Sequence, residues 1–136
     1  MITLIGHGYI GEHIAKELDN QNLTYHWIHH TERVPTDTSF LINCTGHTGV
    51  PNVDACENEK QQTINGNVIF PLMLEHNNPN IPILHISSGC VYTGYEKYFT
   101  ELDPPNFDFN NGSFYSGSKA LEQKILEPYM NKSYLF

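Results

Sequence analysis

The chain has 136 residues and a formal net charge of −8, with only 7 lysines and arginines against 15 acidic side chains. That balance excludes a nucleic-acid groove or an anionic membrane surface, both of which need clustered basic residues. The length suits one domain over 1–136, and the 39% hydrophobic content is that of an ordinary globular chain without repeats or low-complexity runs.

In chain order, "ITLI" is a short apolar run closed by glycine and predicts a buried strand. From Tyr9 to Leu18, Ile10, Ile14, Ala15 and Leu18 fall on one helical face. "DNQN" is a turn, and "LTYHWI" is rich in β formers and predicts a second strand. "HHTERVPTDTS" is irregular, and "FLIN" predicts a third strand. The segment from Pro51 to Asn77 reads as helix, kinked where Pro71 removes a donor and crowds the preceding turn. "IPILHIS" predicts a fourth strand, 88–112 a long loop, Ser113 to Met130 a helix, and "KSYLF" the start of a strand. Strands alternating with helices imply an α/β fold, a Rossmann-like, doubly wound parallel sheet.

No apolar run is long enough to span a bilayer, and Met1 leads into "ITLIG" without a signal-peptide pattern. The cysteines Cys44, Cys56 and Cys90 are an odd set without metal-ligand spacing. Together these predict a reduced, cytoplasmic protein. The histidines of "HWIHH" put His26 and His30 on one strand face, but spacing supplies no third ligand, so no metal site is expected.

"IGHGYIG" places Gly6, Gly8 and Gly11 as G-x-G-x-x-G between a strand and a helix. In that setting the first glycine makes the turn, the second admits a pyrophosphate, and the third lets helix pack on strand. The free amides of the helix N-terminus, over His7, Gly8, Tyr9, Ile10 and Gly11, add a partial positive charge suited to phosphate. The second strand ends in His29 and His30 with Arg33 just beyond, instead of an acidic residue for a ribose hydroxyl. A 2′-phosphate, and hence NADP over NAD, is the expectation.

Tyr115 and Lys119 are four apart in "YSGSK" and share a helical face. A neighbouring ammonium draws a phenol's pKa down towards the working range, and Ser87 or Ser88, ending the fourth strand, could fix a substrate oxygen. By spacing alone the pair reads more readily as a solvated tyrosine and lysine on a helix surface.

The motifs together resemble the extended short-chain dehydrogenase/reductases that act on nucleotide sugars: "IGHGYIG", "NCTG" with Asn43, Thr45 and Gly46, "TELDPPN" and "YSGSK". More specifically, "GVPNVDACENEKQQTINGNV", "SSGCVY" and "GSFYSGSKALEQ" resemble the 3,5-epimerase/4-reductases of nucleotide-rhamnose synthesis, as well as dTDP-4-dehydrorhamnose reductases. The resemblance implies an NADPH-dependent oxidoreductase reducing a nucleotide-linked 4-keto-6-deoxysugar. Tyr115 would be the proton donor, Lys119 the ribose-binding group, Ser88 the ketone ligand, and Cys90 the acid of epimerisation. For Cys90 a small buried hydrophobe is the competing reading. A homodimer through the helices over 64–75 and 115–130 is also implied, and Asn67 matches a helix asparagine of the wider superfamily. Asp54, Glu57 and Glu59 read as a solvated helix face.

Three departures from the family pattern are visible. The glycine loop is one residue tighter, the stretch before "FLIN" is too short for the usual helix and strand, and the C-terminal substrate domain is lacking. A catalytically weak dinucleotide-binding or dimerisation module is therefore the alternative to an active enzyme.

Overall fold

The four-residue run after Met1 forms β1 (Ile2–Ile5), and three more strands follow at β2 (Tyr25–Ile28), β3 (Phe40–Asn43) and β4 (Ile83–His85), with β5 (Tyr134–Leu135) at the end. The computed structural model describes residues 1–136. Every strand pair is parallel, in the order β2-β1-β3-β4-β5. β1 and β3 lie inside the sheet, which is why both are short, nearly continuous apolar runs without polar alternation. β2 is an edge strand, as the short segment before "FLIN" predicts. The chain thus leaves β1 towards β2 and returns on its other side as β3. Such a reversal opens a crevice at the carboxyl ends of β1 and β3, where ligands bind in sheets of this type.

The chain divides into two compact units. The first joins Met1–Thr45, Met73–Ile86 and Pro128–Phe136 and contains the whole sheet. One sheet face carries Ile2, Leu4, Phe40, Ile42 and Leu84, which pack with Ile14 and Ala15 of α1 (Tyr9–Asn20). The register aligns Leu4, Ile42 and Leu84 across three strands. The opposite face carries buried polar groups among its apolar ones: Thr3, Asn43 and His85. Thr3 is satisfied by Thr38 through their hydroxyls at 2.7 Å.

The second unit joins Gly46–Leu72 and Ser87–Glu127. Here the helix expected over 51–77 is broken into pieces. A 3₁₀ turn (Val53–Glu57) precedes α2 (Lys60–Ile64), one π-helical turn spans Asn65–Ile69, and α3 (Phe70–Asn77) continues into the first unit. Pro71 falls two residues after the π turn. The wider turn accommodates a residue that cannot donate and whose ring crowds the preceding turn, so the chain continues as helix. The last helix, α4 (Phe114–Leu126), packs on the 3₁₀ turn, α2 and the π turn, and on the turn Gly89–Val91. Its buried residues include Tyr115, Lys119, Glu122 and Leu126. A 3₁₀ turn (Glu127–Tyr129) ends the expected helix early. The "TELDPPN" stretch is held by Asp103, whose Oδ2 accepts from the Thr100 amide at 2.8 Å and whose Oδ1 pairs with Lys97.

Candidate active site

The glycine turn belongs to the first unit. Gly6 has φ +104°, a region that suits glycine, and a Cβ there would lie 3.0 Å from the Cys44 carbonyl carbon and 3.1 Å from the Thr45 amide nitrogen. The turn is therefore pressed against the end of β3, at the reversal point of the sheet. A Cβ on Gly11 would collide with the Gly6 carbonyl oxygen, so α1 begins against the turn itself. Gly8 differs: nothing lies within 4 Å of where its Cβ would be. Gly8 is also the N-cap of α1 and contributes no side-chain cap, so the first amides of the helix have no cap group in front of them. A cradle tight at two glycines and open at the third fits a pyrophosphate, which needs close backbone approach on one side only.

Aromatic rings gather beside this turn. Trp27 on β2 donates from Nε1 to the Gly6 carbonyl at 3.0 Å, and His7 stands edge-on to Trp27 with centroids 4.8 Å apart. His7 also lies 6.3 Å from His29, whose ring is 4.0 Å from that of His30. Tyr9 and Arg33 are exposed, and Ile10 is partly so. The Glu32 carboxylate accepts from the His29 amide at 2.5 Å, which puts an acidic group at the end of β2 after all, beside the histidines. His26 pairs with Asp37 at 2.9 Å instead of with His30, and no three His, Cys, Asp or Glu side chains converge on a point that could hold a metal ion.

Asn43 closes β3 and is buried. Its Oδ1 accepts from the Thr45 amide at 3.1 Å and the Thr45 hydroxyl at 2.6 Å. Its Nδ2 reaches His85 Nδ1 at 3.2 Å, so the imidazole accepts there and donates from Nε2 to Glu75 Oε1 at 3.1 Å. Glu75 Oε2 holds Lys132, which also donates to the Ile81 carbonyl at 3.1 Å. Glu75 and His85 are wholly buried, so this relay fixes the loop leaving β3 from inside the first unit.

The second unit holds the tyrosine and lysine. Neither is solvated: Tyr115 is 8% exposed and Lys119 3%. That removes the surface-pair reading of "YSGSK". Burial pushes the Tyr115 phenol above its ordinary value, and a hydrogen bond with the Ser88 hydroxyl works the other way. Lys119 Nζ lies 2.5 Å from Glu122 Oε2, and the Glu122 carboxylate raises the Tyr115 phenol further. Ser88 Oγ accepts from the Cys90 amide at 3.2 Å, so the serine and its phenol partner are fixed by one turn of backbone. Cys90 is exposed, which overturns the buried-hydrophobe reading.

Helix α4 is anchored where these groups sit. Ser113 caps it by accepting from the Ser116 amide at 3.1 Å, and Glu57 accepts from the Phe114 amide at 2.6 Å. Glu59 pairs with His47 at 2.5 Å. Asp54 and Glu57 are exposed, as the solvated-face reading expects, although Glu57 also holds α4, while Glu59 is half-buried against His47. Asn67, in the π turn, accepts from the His47 amide at 2.6 Å and donates to the His47 carbonyl and the Ser118 hydroxyl, both at 3.0 Å. Ser118 in turn donates to the Tyr115 carbonyl at 2.7 Å. Gly46 lies against Asn67 Oδ1 at 3.4 Å for a Cβ, tying the end of "NCTG" to the same residue. Glu122, Glu75 and His85 were missed by sequence reasoning. For Glu122 the signal was present, three residues after Lys119 on the same helical face.

No family model matches the chain. A curated Arabidopsis thaliana protein, a trifunctional UDP-glucose 4,6-dehydratase/UDP-4-keto-6-deoxy-D-glucose 3,5-epimerase/UDP-4-keto-L-rhamnose-reductase, is 33% identical over 91% of this chain and 21% of its own length. A bifunctional dTDP-4-dehydrorhamnose 3,5-epimerase/dTDP-4-dehydrorhamnose reductase of the same plant is 32% identical over 91% of this chain and 46% of itself. Among solved structures, a UDP-rhamnose synthase from Acanthamoeba polyphaga mimivirus superposes with TM-score 0.81 at 23% identity, covering 99% of this chain and 54% of that one. A dTDP-4-dehydrorhamnose reductase from Clostridium acetobutylicum gives TM-score 0.80 at 25% identity over 98% of this chain and 51% of that one.

The chain is homologous to nucleotide-rhamnose synthases and epimerase/reductases, and its solved neighbours include a dTDP-4-dehydrorhamnose reductase. The nucleotide-rhamnose epimerase/reductases among these relatives are those the motifs predict. It spans less than half the length of these curated relatives. It has a Rossmann-like, all-parallel sheet with flanking helices that matches these reductase structures, and no helix is long and apolar enough to cross a membrane.

Proposed function

We propose that the chain supplies the dinucleotide-binding and proton-donating groups for NADP-dependent reduction of a nucleotide-linked 4-keto-6-deoxysugar of the dTDP- or UDP-4-keto-rhamnose type. The observation that carries this reading is the buried phenol of Tyr115, which shares α4 with Lys119 and is hydrogen-bonded to Ser88. The open side of Gly8 and the first amides of α1, from Tyr9 to Gly11, take the pyrophosphate, with His7 beside them. His29 and Arg33 meet the 2′-phosphate, and Asn43, Thr45 and Gly46 line the cofactor beyond it.

When bound, the nicotinamide supplies hydride to the sugar carbonyl carbon. Tyr115 gives its phenolic proton to the carbonyl oxygen as negative charge develops there, and burial keeps that proton in place at neutral pH. Ser88 orients the same oxygen by hydrogen bonding, and Lys119 holds the ribose hydroxyls. Cys90, exposed one turn from Ser88, is positioned as the acid of the accompanying 3,5-epimerisation.

The test is titration with NADPH and NADH, followed by NADPH oxidation with a 4-keto-deoxysugar nucleotide. Tyr115→Phe is expected to lower turnover by about 100-fold or more while leaving dinucleotide affinity nearly intact. Unchanged turnover in that variant refutes the assignment. Dinucleotide binding without turnover would support the second reading, a module that holds cofactor without reducing substrate.

A further inference from the structure

Lys119 and Glu122 are three residues apart on α4 and almost wholly buried, with Nζ and Oε2 at 2.5 Å. Beyond that ammonium, Oε2 has no hydrogen-bond partner. A buried carboxylate is costly unless its charge is balanced, so Lys119 is the group that lets Glu122 stay ionised in this environment. The reverse also holds: Glu122 cancels the charge of the lysine. Burial pushes the Glu122 carboxyl above its ordinary value while Lys119 pulls it back.

We propose that Glu122 is a positioning residue that holds and neutralises the Lys119 ammonium, so that Tyr115 faces a charge-balanced pair instead of a bare cation. This rests on the reductase reading for its consequence. A phenol beside a balanced pair keeps its proton to higher pH, so the donor form that ketone reduction needs persists over a wider range. A lysine without such a partner would stabilise the phenolate and narrow that range.

The other groups around Tyr115 do not replace Glu122 in this role. Cys56, from the 3₁₀ turn Val53–Glu57, and Cys90, from Gly89–Val91, oppose the phenolate as Glu122 does, and Ser88 favours it. Glu57 is engaged by the Phe114 amide, Lys60 sits 5.2 Å over the Phe114 ring, and Gln123 donates to the Ser87 hydroxyl at 3.3 Å. Glu122 is the residue among these whose carboxylate meets the lysine.

The experiment uses the full chain labelled with 13Cζ-tyrosine, with the Tyr115 resonance identified by its loss in Tyr115→Phe. Titrated by NMR without ligand, Glu122→Gln is expected to make Tyr115 about tenfold more acidic. Glu122→Asp, which keeps the charge but withdraws it by one methylene, is expected to shift it the same way by about threefold. A folded Glu122→Gln variant whose Tyr115 titrates as in the unsubstituted chain overturns the proposal. If Glu122→Gln does not fold, an unshifted Glu122→Asp does the same. The titration needs neither substrate nor cofactor. A shifted Tyr115 in a chain that never turns over would refute the reductase reading alone, whereas turnover with an unshifted Tyr115 would refute this inference alone.

Discussion

Replacing His85 with phenylalanine tests the buried relay of the first unit. The aromatic ring keeps most of the volume, so the perturbation is the loss of two nitrogens. Asn43 Nδ2 loses its acceptor and Glu75 Oε1 loses its donor, at residues 1% and 0% exposed. Water cannot reach either to compensate. An abandoned buried group costs about 1–3 kcal/mol, and more when charged, so the two together predict a loss of roughly 2–6 kcal/mol. Against the about 5–15 kcal/mol that holds a typical domain together, that is a large fraction. Urea unfolding, followed by circular dichroism and Trp27 fluorescence, reads it as a lower midpoint. Glu75→Gln and the double variant complete a cycle in which the coupling should exceed about 0.5 kcal/mol, since the groups share one hydrogen bond. A loss below about 1 kcal/mol in His85→Phe, or strict additivity in the cycle, would falsify the relay as a stabilising unit.

Gly11→Ala drives a Cβ into the Gly6 carbonyl oxygen, whereas Gly8→Ala meets nothing within 4 Å. The first is expected to cost about 1–3 kcal/mol and the second less than about 1 kcal/mol, and equal melting temperatures would contradict the packing given for the turn. Thiol labelling should begin at exposed Cys90, with buried Cys56 last. Burial pushes Cys44 up to about 11, so well below its ordinary value of 9.0 it presents about 100-fold less thiolate than an unburied cysteine. Its labelling rate should keep climbing as pH rises towards 11, and a plateau near pH 9 by mass spectrometry would refute the shift.

What could be read from the sequence was what local spacing controls. β1 and β3 fall on the residues their apolar runs predict, and Gly6 and Gly11 are held as the glycine motif requires. Tyr115 and Lys119 lie on one buried stretch of α4, as four-residue spacing allows. The misreadings came where a partner is distant or a polar group is inside. His85 read as one residue of an apolar run because its partner Asn43 is 42 residues away. Glu57 is exposed as read, but its acceptor role went unread because it depends on the Phe114 amide, 57 residues downstream. The π turn was invisible because Pro71 signals an interruption without saying which kind. Glu122 went unread because helical spacing names the neighbour of Lys119 at four residues and is silent on the other groups that meet the ammonium.

Tyr115 is the second residue of α4, and Lys119 is only one turn further on. Helices loosen from their ends, so a proton donor placed there borrows its order from whatever fastens the first turn. Here that fastening is a serine oxygen and a glutamate brought from 57 residues earlier in the chain. Weakening either would leave the reactive groups chemically intact but correctly aimed for a smaller share of the time, so damage at Ser113 or Glu57 should pass for damage to the chemistry itself.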